Sequence, residues 1–254
     1  MGAIIFVGRE TDAAETRVAA SPETVKKLTS LGCDVTVEEG AGASSRILDS
    51  DFESAGATIV KAEDVKKADV VLRVRRPSAD DARMMKSGAI LLTQMDPYGN
   101  EEALKPFAEA GVTAFAMELM PRITRAQSMD VLSSQANLAG YQAVIEAAAS
   151  FGRAFPMMMT AAGTVPAAKA FVMGAGVAGL QAIATARRLG AAVSATDVRS
   201  ATREQIESLG AKAIFVAEGG IEGEGSGGYA SEMSDEYKAA QAKLVSEHIA
   251  KQDI

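Results

Sequence analysis

The chain has 254 residues, 48% of them hydrophobic, and a formal net charge of −7 at pH 7. This composition allows one large domain or two medium domains with apolar cores, and two domains is the better prediction. The acidic balance argues against nucleic-acid binding, which needs a clustered basic surface. No apolar run reaches the roughly 18 residues of a membrane-spanning helix, so we predict a soluble chain without direct membrane insertion. The sequence indicates no metal site, and its single cysteine excludes an intrachain disulfide.

The first 120 residues alternate short apolar runs with helical patterns, beginning with a strand over Ile4 to Val7. Ser21 followed by Pro22 predicts a helix that extends to Leu31. The other predicted elements are strands over Val35 to Glu38, Val70 to Val74, Ala89 to Thr93 and Val112 to Phe115, and a helix over Glu101 to Ala110. This rhythm is typical of a mainly parallel sheet flanked by helices. No glycine triplet follows any of these strands, so this region is predicted to lack a phosphate loop.

An alanine-rich pattern over Ser133 to Phe151 predicts a helix that joins two domains. We therefore predict an N-terminal α/β domain over residues 1–132, an interdomain helix over 133–152 and a partial dinucleotide-binding domain over 153–254. The fold class is α/β, with two Rossmann-like domains, mainly parallel sheets, and the second domain incomplete. The predicted strands of the second domain are Ala170 to Met173, Ala192 to Thr196 and Ala213 to Val216.

A glycine-rich segment, residues 219–228, is expected to be mobile, and a charged helix is predicted over Ser231 to Lys251. Only three strands are predicted for the second domain, whereas a doubly wound dinucleotide domain has two such halves. The sequence therefore predicts a fragment of a longer protein. The alternative is a minimal chain that completes its sheet by association.

The most informative motif begins at Phe171 and carries glycines at 174, 176 and 179. Apolar residues before the first glycine predict the end of a buried strand, and an apolar helical pattern follows the second. Gly174 would permit a tight turn, Gly176 would let backbone amides approach a diphosphate, and Gly179 would let the helix pack closely on the strand. The negative diphosphate would then lie at the positive end of the helix dipole.

Asp197 follows Gly179 by 18 residues, close to the spacing of about 20 expected in a dinucleotide-binding unit. Its carboxylate is predicted to accept hydrogen bonds from a ribose diol and to repel a 2′-phosphate, which favours NAD(H) over NADP(H). Arg199 is a neighbour that could offset this preference. The alternative is that Asp197 is an ordinary surface carboxylate at the end of a strand.

A polar segment precedes the predicted interdomain helix, and taken alone it is compatible with a capped surface loop in which Arg122 and Asp130 pair. Pro121 to Asp130, running into Ser133 to Tyr141, resembles the Arg-Gln-Asp loop of the NAD(H)-binding component of proton-translocating nicotinamide nucleotide transhydrogenases. Further segments similar to that family are Phe155 to Thr164, the glycine motif, and Ala195 to Arg199. Family members are longer than this chain.

This resemblance implies that the chain binds NAD(H) and exchanges hydride directly with NADP(H) held by a partner component, and that it is active only with that partner. The implied catalytic residues, which should surround the nicotinamide and its ribose, are Arg122, Gln127 and Asp130. The implied cofactor-binding residues are Ser133, Gly174, Gly176, Val177, Gly179, Asp197, Val198, Arg199 and Tyr229. Gln127 would reach toward the acceptor nucleotide, and Tyr229 would belong to a mobile loop. The family further implies a homodimer, peripheral on the cytoplasmic face of a bacterial membrane, with NADP(H)-binding and membrane-spanning partners.

Alanine dehydrogenase is the alternative, since it resembles the chain in architecture and in the Glu15-Thr-Arg17 element. However, Arg75 stands where that family has a lysine, and a guanidinium cannot release a proton at neutral pH. Gln94 lies in the segment where that family has a histidine. The only histidine, His248, is in a charged helical pattern and is predicted to be solvated. A third possibility is an NAD(H)-binding module without turnover.

Overall fold

The computed structural model describes residues 2–216 and 234–254. Tyr229 and the predicted glycine-rich segment lie outside the described residues. The chain divides into two compact units, Met1–Pro121 and Arg122–Ile254. No helix of the described residues is long and apolar enough to cross a bilayer.

The first unit is built on a six-stranded sheet in which every neighbouring pair is parallel, in the order β3-β2-β1-β4-β5-β6. Its strands are β1 (Ile4–Val7), β2 (Asp34–Glu38), β3 (Thr58–Val60), β4 (Val70–Leu72), β5 (Ile90–Thr93) and β6 (Thr113–Ala116). Its helices are α1 (Pro22–Ser30), α2 (Asp49–Ser54), α3 (Ala79–Met84) and α4 (Lys105–Glu109). The prediction of a Rossmann-like α/β fold is confirmed, and the strand order is that of a doubly wound sheet.

Helices cover both faces of this sheet because β1 sends alternate side chains into two apolar clusters. Val7 packs with Val25 of α1 and Phe52 of α2. Phe6 packs in a second cluster with Phe107 of α4. The buried strands therefore have apolar residues on both faces, as a parallel sheet requires.

One predicted helix of the first unit differs from the structure, and β3, α2 and α3 were not predicted. The helix predicted over Glu101 to Ala110 is a 3₁₀ helix, Glu101–Leu104, followed by α4. Pro106 explains the break, because it lacks the N–H needed to continue an α-helix and is tolerated only in the first turn. The strand Thr58–Val60 was not predicted, since three residues are too few to show an alternating pattern.

The second unit contains a parallel sheet in the order β11-β10-β9 and a separate antiparallel hairpin of β7 and β8. Its strands are β7 (Met158–Thr160), β8 (Gly163–Val165), β9 (Lys169–Met173), β10 (Ala192–Thr196) and β11 (Lys212–Ala213). Its helices are α5 (Val131–Ser150), α6 (Val177–Arg188), α7 (Thr202–Ser208) and α8 (Asp235–Ile249). The hairpin was not predicted, and β11 is shorter than the strand expected over Ala213 to Val216.

Helix α5, predicted to link two domains, belongs to the second unit and packs directly on α6. The two helices lie close together at Gly140, where an added Cβ would lie 2.0 Å from the carbonyl oxygen of Ala178. A glycine is therefore needed at this crossing. The boundaries drawn at residues 132 and 152 stay predictions.

Candidate functional site

The loop between β9 and α6 has the backbone geometry of a phosphate-binding turn. Gly174 has a φ of +100°, which residues with a side chain rarely adopt. An added Cβ at Gly179 would lie 1.8 Å from the carbonyl oxygen of Gly174, so only glycine allows α6 to pack against the end of β9. At Gly176 an added Cβ would meet no atom within 4 Å, because this glycine faces open space. The loop thus leaves room at the N-terminus of α6, where an anion is favoured.

Asp197 follows β10 and is buried, with 7% of its surface exposed. Its Oδ2 accepts a 2.6 Å hydrogen bond from the amide of Ala175. Arg199 donates to Oδ1 through its amide and Nε, both at 2.9 Å, and to Oδ2 through a terminal nitrogen at 2.9 Å. Burial raises the pKa of Asp197, but the hydrogen bonds from Arg199 and Ala175 outweigh it and hold the pKa below its ordinary value. The carboxylate is therefore charged, and it ties the glycine loop to the end of β10.

Asp130 begins α5 as its N-cap residue. Its Oδ1 accepts from the Ser133 amide at 3.0 Å, and its Oδ2 accepts from the Ser133 hydroxyl at 2.6 Å. The pKa of Asp130 is lowered first by these two bonds, with the positive charge of Arg122 contributing less. Asp130 therefore positions Ser133 and the start of the helix. Its attraction to Arg122 is a smaller effect.

A cavity of about 990 Å³ in the second unit joins the glycine loop, Asp197 and the start of α5. The predicted site residues that line it are Arg122, Ser133, Gly174, Gly176, Val177, Gly179, Asp197, Val198 and Arg199. Asp130 is not a lining residue, but it interacts with two residues that are, Ser133 and Arg122. Gln127 is exposed on a 3₁₀ helix, Thr124–Met129, and is not among the lining residues. The functional roles of all these residues stay predictions.

Several lining residues were not predicted from the sequence. Four of them, Lys238, Gln241, Ala242 and Val245, lie on α8. Their positions are i, i+3, i+4 and i+7, which places them on one face of a helix. That spacing was visible in the sequence, but nothing in it connects this face with a glycine loop about 60 residues earlier.

The prediction that His248 is a solvated surface residue is wrong. Its Nε2 is 2.7 Å from the hydroxyl of Ser194 on β10, and its ring stacks edge-on against Phe171 of β9 at 4.8 Å between centroids. Burial lowers the pKa of His248, helped by the positive charges of Lys212 and Lys251. His248 is therefore largely neutral at pH 7, and its contacts with Ser194 and Phe171 attach α8 to the sheet.

The first unit has a network of ion pairs at the segments similar to alanine dehydrogenase. Buried Glu15 accepts from Arg17 at 2.6 Å and from Arg75 at 2.9 Å. Hydrogen bonds from Arg17, with a further one from Arg75, lower the pKa of Glu15 to about 2 although burial opposes the change. Arg75, predicted from the sequence to stand where that family has a lysine, thus forms an ion pair with Glu15. Near neutral pH Glu15 is therefore ionised and does not take up a proton, and the guanidinium of Arg75 does not release one.

Both halves of the chain match families of known proteins. Residues 6–139 match the family described as alanine dehydrogenase/PNT, N-terminal domain, and residues 143–254 match alanine dehydrogenase/PNT, C-terminal domain. The chain belongs to the alanine dehydrogenase/PNT family. Membership of this family gives it an oxidoreductase-related role with an NAD(H)-binding domain.

The close homologues are NAD(P) transhydrogenase alpha subunits. An NAD(P) transhydrogenase alpha subunit of Rhodospirillum rubrum is 52% identical over 98% of this chain and 67% of that protein. The crystal structure of transhydrogenase from Sinorhizobium meliloti matches with a TM-score of 0.89 and 64% identity, over 98% of this chain and 68% of that chain. Alanine dehydrogenase of Mycobacterium tuberculosis is 31% identical over 80% of this chain and 56% of that protein. The predicted resemblance to transhydrogenases is confirmed, and the alanine dehydrogenase alternative is not favoured. The chain spans about two thirds of the length of these two transhydrogenase relatives.

Proposed function

We propose that this chain is the NAD(H)-binding component of a proton-translocating transhydrogenase, which exchanges hydride directly with NADP(H) bound on a partner component. The observation that carries this proposal is the cavity of the second unit, which combines the open glycine loop, Asp197 and the start of α5. The high identity to transhydrogenase alpha subunits supports the same function.

The cavity suits a dinucleotide in both shape and charge. Gly176 leaves space for a diphosphate at the N-terminus of α6, and the carboxylate of Asp197 is charged and able to accept from a ribose diol. Arg199 already bonds both oxygens of Asp197, so a ribose would have to compete with this guanidinium. Affinity for NADH therefore depends on the free energy needed to break the hydrogen bonds between Arg199 and Asp197.

Bound NADH would supply the chemistry of the reaction, a hydride from its C4 that would reduce NADP⁺. No proton has to be removed from a hydroxyl or an amine in this transfer, so the protein needs only to bind and orient. Among the described residues, the ionisable side chains that line the cavity are three cations and one carboxylate held in its charged form. This set is suited to charge pairing rather than to proton transfer.

The segment before α5 is proposed to hold the nicotinamide end. Asp130 orients Ser133 at the cavity wall, and Arg122 supplies positive charge beside it. Gln127, exposed on its 3₁₀ helix, is proposed to reach toward the acceptor nucleotide on the partner. These assignments follow the family resemblance.

The proposal extends to assembly and location. A homodimer peripheral on the cytoplasmic face of a bacterial membrane is proposed, with the proton path in a membrane-spanning partner. NADP(H) would be bound by a separate component, and hydride transfer would require its presence. The names of the relatives as alpha subunits support a need for further subunits.

The first test is calorimetric titration of the purified chain with NADH and separately with NADPH, followed by a transfer assay. The proposal predicts binding of NADH in preference to NADPH, and hydride transfer from NADH to an NADP⁺ analogue only when an NADP(H)-binding component is added. Binding without transfer in the presence of that component would support an NAD(H)-binding module without turnover. Alanine-dependent reduction of NAD⁺ by the chain alone would support an alanine dehydrogenase.

A further inference from the structure

One face of α8 forms a wall of the cavity and carries its own polar groups. Lys238 and Gln241 lie toward the N-terminal end of this face, and Ala242 and Val245 follow toward its centre. We call these four residues the cavity face of α8. We infer that it is a second binding surface for the dinucleotide, in which Lys238 pairs with the diphosphate. The inference rests on the proposed function, because it assumes that a dinucleotide occupies the cavity.

The direction of α8 is fixed by its contacts with the sheet. His248 contacts Ser194 and Phe171, which are register partners in the middle of β10 and β9. The neighbouring strand residues Val193 and Val172 pack instead in the cluster that contains Ile183 of α6. Because successive side chains of a strand point to opposite faces, α8 and α6 cover opposite faces of this sheet.

The N-terminal part of α8 reaches the carboxyl edge of the sheet. Lys238 precedes His248 by ten residues, or roughly 15 Å of helix at about 1.5 Å per residue. Asp197 lies three residues beyond Ser194, or roughly 10 Å of strand at about 3.3 Å per residue. Burial raises the pKa of Tyr237, and the negative charge of Asp197 adds to this effect, as expected if the first turn of α8 lies near the end of β10. Lys238 is therefore at the level of the glycine loop, across the sheet edge from α6.

The charge balance of the cavity favours an anion near Lys238. The lining side chains carry three positive charges, on Arg122, Arg199 and Lys238, and one negative charge, on Asp197. Arg199 and Asp197 are paired to each other. Lys238 has an ion pair with Asp235 at 3.6 Å, but Asp235 is fully exposed, and such a surface pair on one helix is weak. A diphosphate would attract the Lys238 ammonium more strongly than Asp235 does.

The test compares Lys238→Gln with Lys243→Gln in the full chain, using NADH as the probe in calorimetric titration. Lys243 is an exposed lysine of the same helix that does not line the cavity, so its variant has the same change in net charge. Lys238→Gln is expected to weaken NADH binding about tenfold, as loss of a charge-assisted hydrogen bond implies. Lys243→Gln should leave the affinity within twofold of wild type. Lys238→Arg should restore most of it.

The ionic strength and the choice of nucleotide make the test specific. The difference in NADH affinity between Lys238→Gln and wild type should shrink as the salt concentration rises. Adenosine, which has no phosphate, should bind to the variant and to wild type with equal affinity. Equal NADH affinity of the two glutamine variants would overturn the inference while leaving the proposed function intact. A greater loss for NADPH than for NADH would also overturn it, because Lys238 would then address a 2′-phosphate. If wild type itself bound no NADH, the proposed function would fail first.

Discussion

The two parallel sheets of this chain differ in the loops that leave their strands at the carboxyl edge. In the first unit, Glu10 after β1 accepts from Arg73 and from the amides of Val74 and Arg75 after β4. In the second unit, glycines follow β9 and leave open space beside the start of α6. The architecture of the two sheets is alike, but the first edge is closed by its own ion pairs and the second is open to an anion. We therefore expect the capacity to bind a nucleotide to depend on the loop after a strand rather than on the sheet.

The largest expected effect is on the glycine loop, with Gly179→Ala. An added methyl group would lie 1.8 Å from the carbonyl oxygen of Gly174, so the loop or α6 must move. We expect a loss of about 3 kcal/mol in unfolding free energy and loss of measurable NADH binding. Urea unfolding and calorimetric titration of the same preparation would measure both effects.

Gly176→Ala is the matched control for this prediction. An added Cβ there meets no protein atom within 4 Å, so the unfolding free energy should stay close to wild type. NADH affinity should still fall, because the methyl group would occupy space meant for the diphosphate. Unchanged NADH affinity in Gly176→Ala would show that the open space after β9 is not the phosphate site.

Glu15→Gln tests the closed edge of the first unit, because Glu15 forms an ion pair with Arg75 in the segment after β4. The variant places a neutral amide opposite Arg17 and Arg75, whose side chains are 38% and 53% exposed, and this should lower the unfolding free energy by about 2 kcal/mol. NADH affinity should remain within twofold, since Glu15 belongs to the other unit. A large loss of NADH affinity would contradict the division of roles between the two edges.

The same residue gives a pH dependence with a defined sign. The folded pKa of Glu15, about 2, lies below its ordinary value of 4.5. The contribution of Glu15 to the free energy of unfolding is therefore complete above pH 4.5 and is lost as the pH falls toward 2. Its upper limit is about 3 kcal/mol. Glu15→Gln should flatten the acid limb of a stability curve measured over this range.

Asp197→Asn should have a smaller effect, confined to the open edge. An amide has one oxygen with which to accept from a ribose diol where the carboxylate has two, so NADH binding should weaken about tenfold. The neutral amide also cannot repel a 2′-phosphate. The preference for NADH over NADPH should narrow. Titration with both nucleotides measures this, and an unchanged preference would remove Asp197 from the ribose site.

The sequence was most informative where a function depends on neighbours along the chain. The turn at Gly174, the packing at Gly179 and the acid at 197 all belong to one local unit, and their spacing carries the information. The pairing of Glu15 with Arg75 and of Ser194 with His248 joins residues 60 and 54 positions apart. Such contacts depend on how the sheet assembles, so local patterns predicted neither the closed edge nor the wall formed by α8.

Gln127→Asn tests whether the second unit contributes more than binding. The side chain becomes shorter by one methylene group at an exposed position outside the cavity lining. We expect hydride transfer to slow several-fold in the presence of the NADP(H)-binding component, with the dissociation constant for NADH within twofold of wild type. Gln142→Asn, an exposed change on α5, is the control. Equal losses in transfer and in NADH binding would make Gln127 a binding residue only.

The smallest expected effect is the pH dependence contributed by His248. It distinguishes the second unit from the first, because His248 and Glu15 become protonated in different pH ranges. Its folded pKa lies below the ordinary value of 6.5, because burial and the charges of Lys212 and Lys251 disfavour the protonated ring. The contribution of His248 to the free energy of unfolding is therefore complete above pH 6.5 and is lost as the pH falls through the folded pKa. This amounts to less than about 1 kcal/mol, the value of one partly exposed hydrogen bond. Glu15 titrates only at lower pH, so mild acid should weaken the attachment of α8 while the ion pairs of the first unit persist. In wild type, NADH affinity should accordingly decline slightly as the pH falls below 6.5 and through the folded pKa of His248, and this decline should be absent in His248→Gln. An identical slope in both proteins would mean that another group controls it.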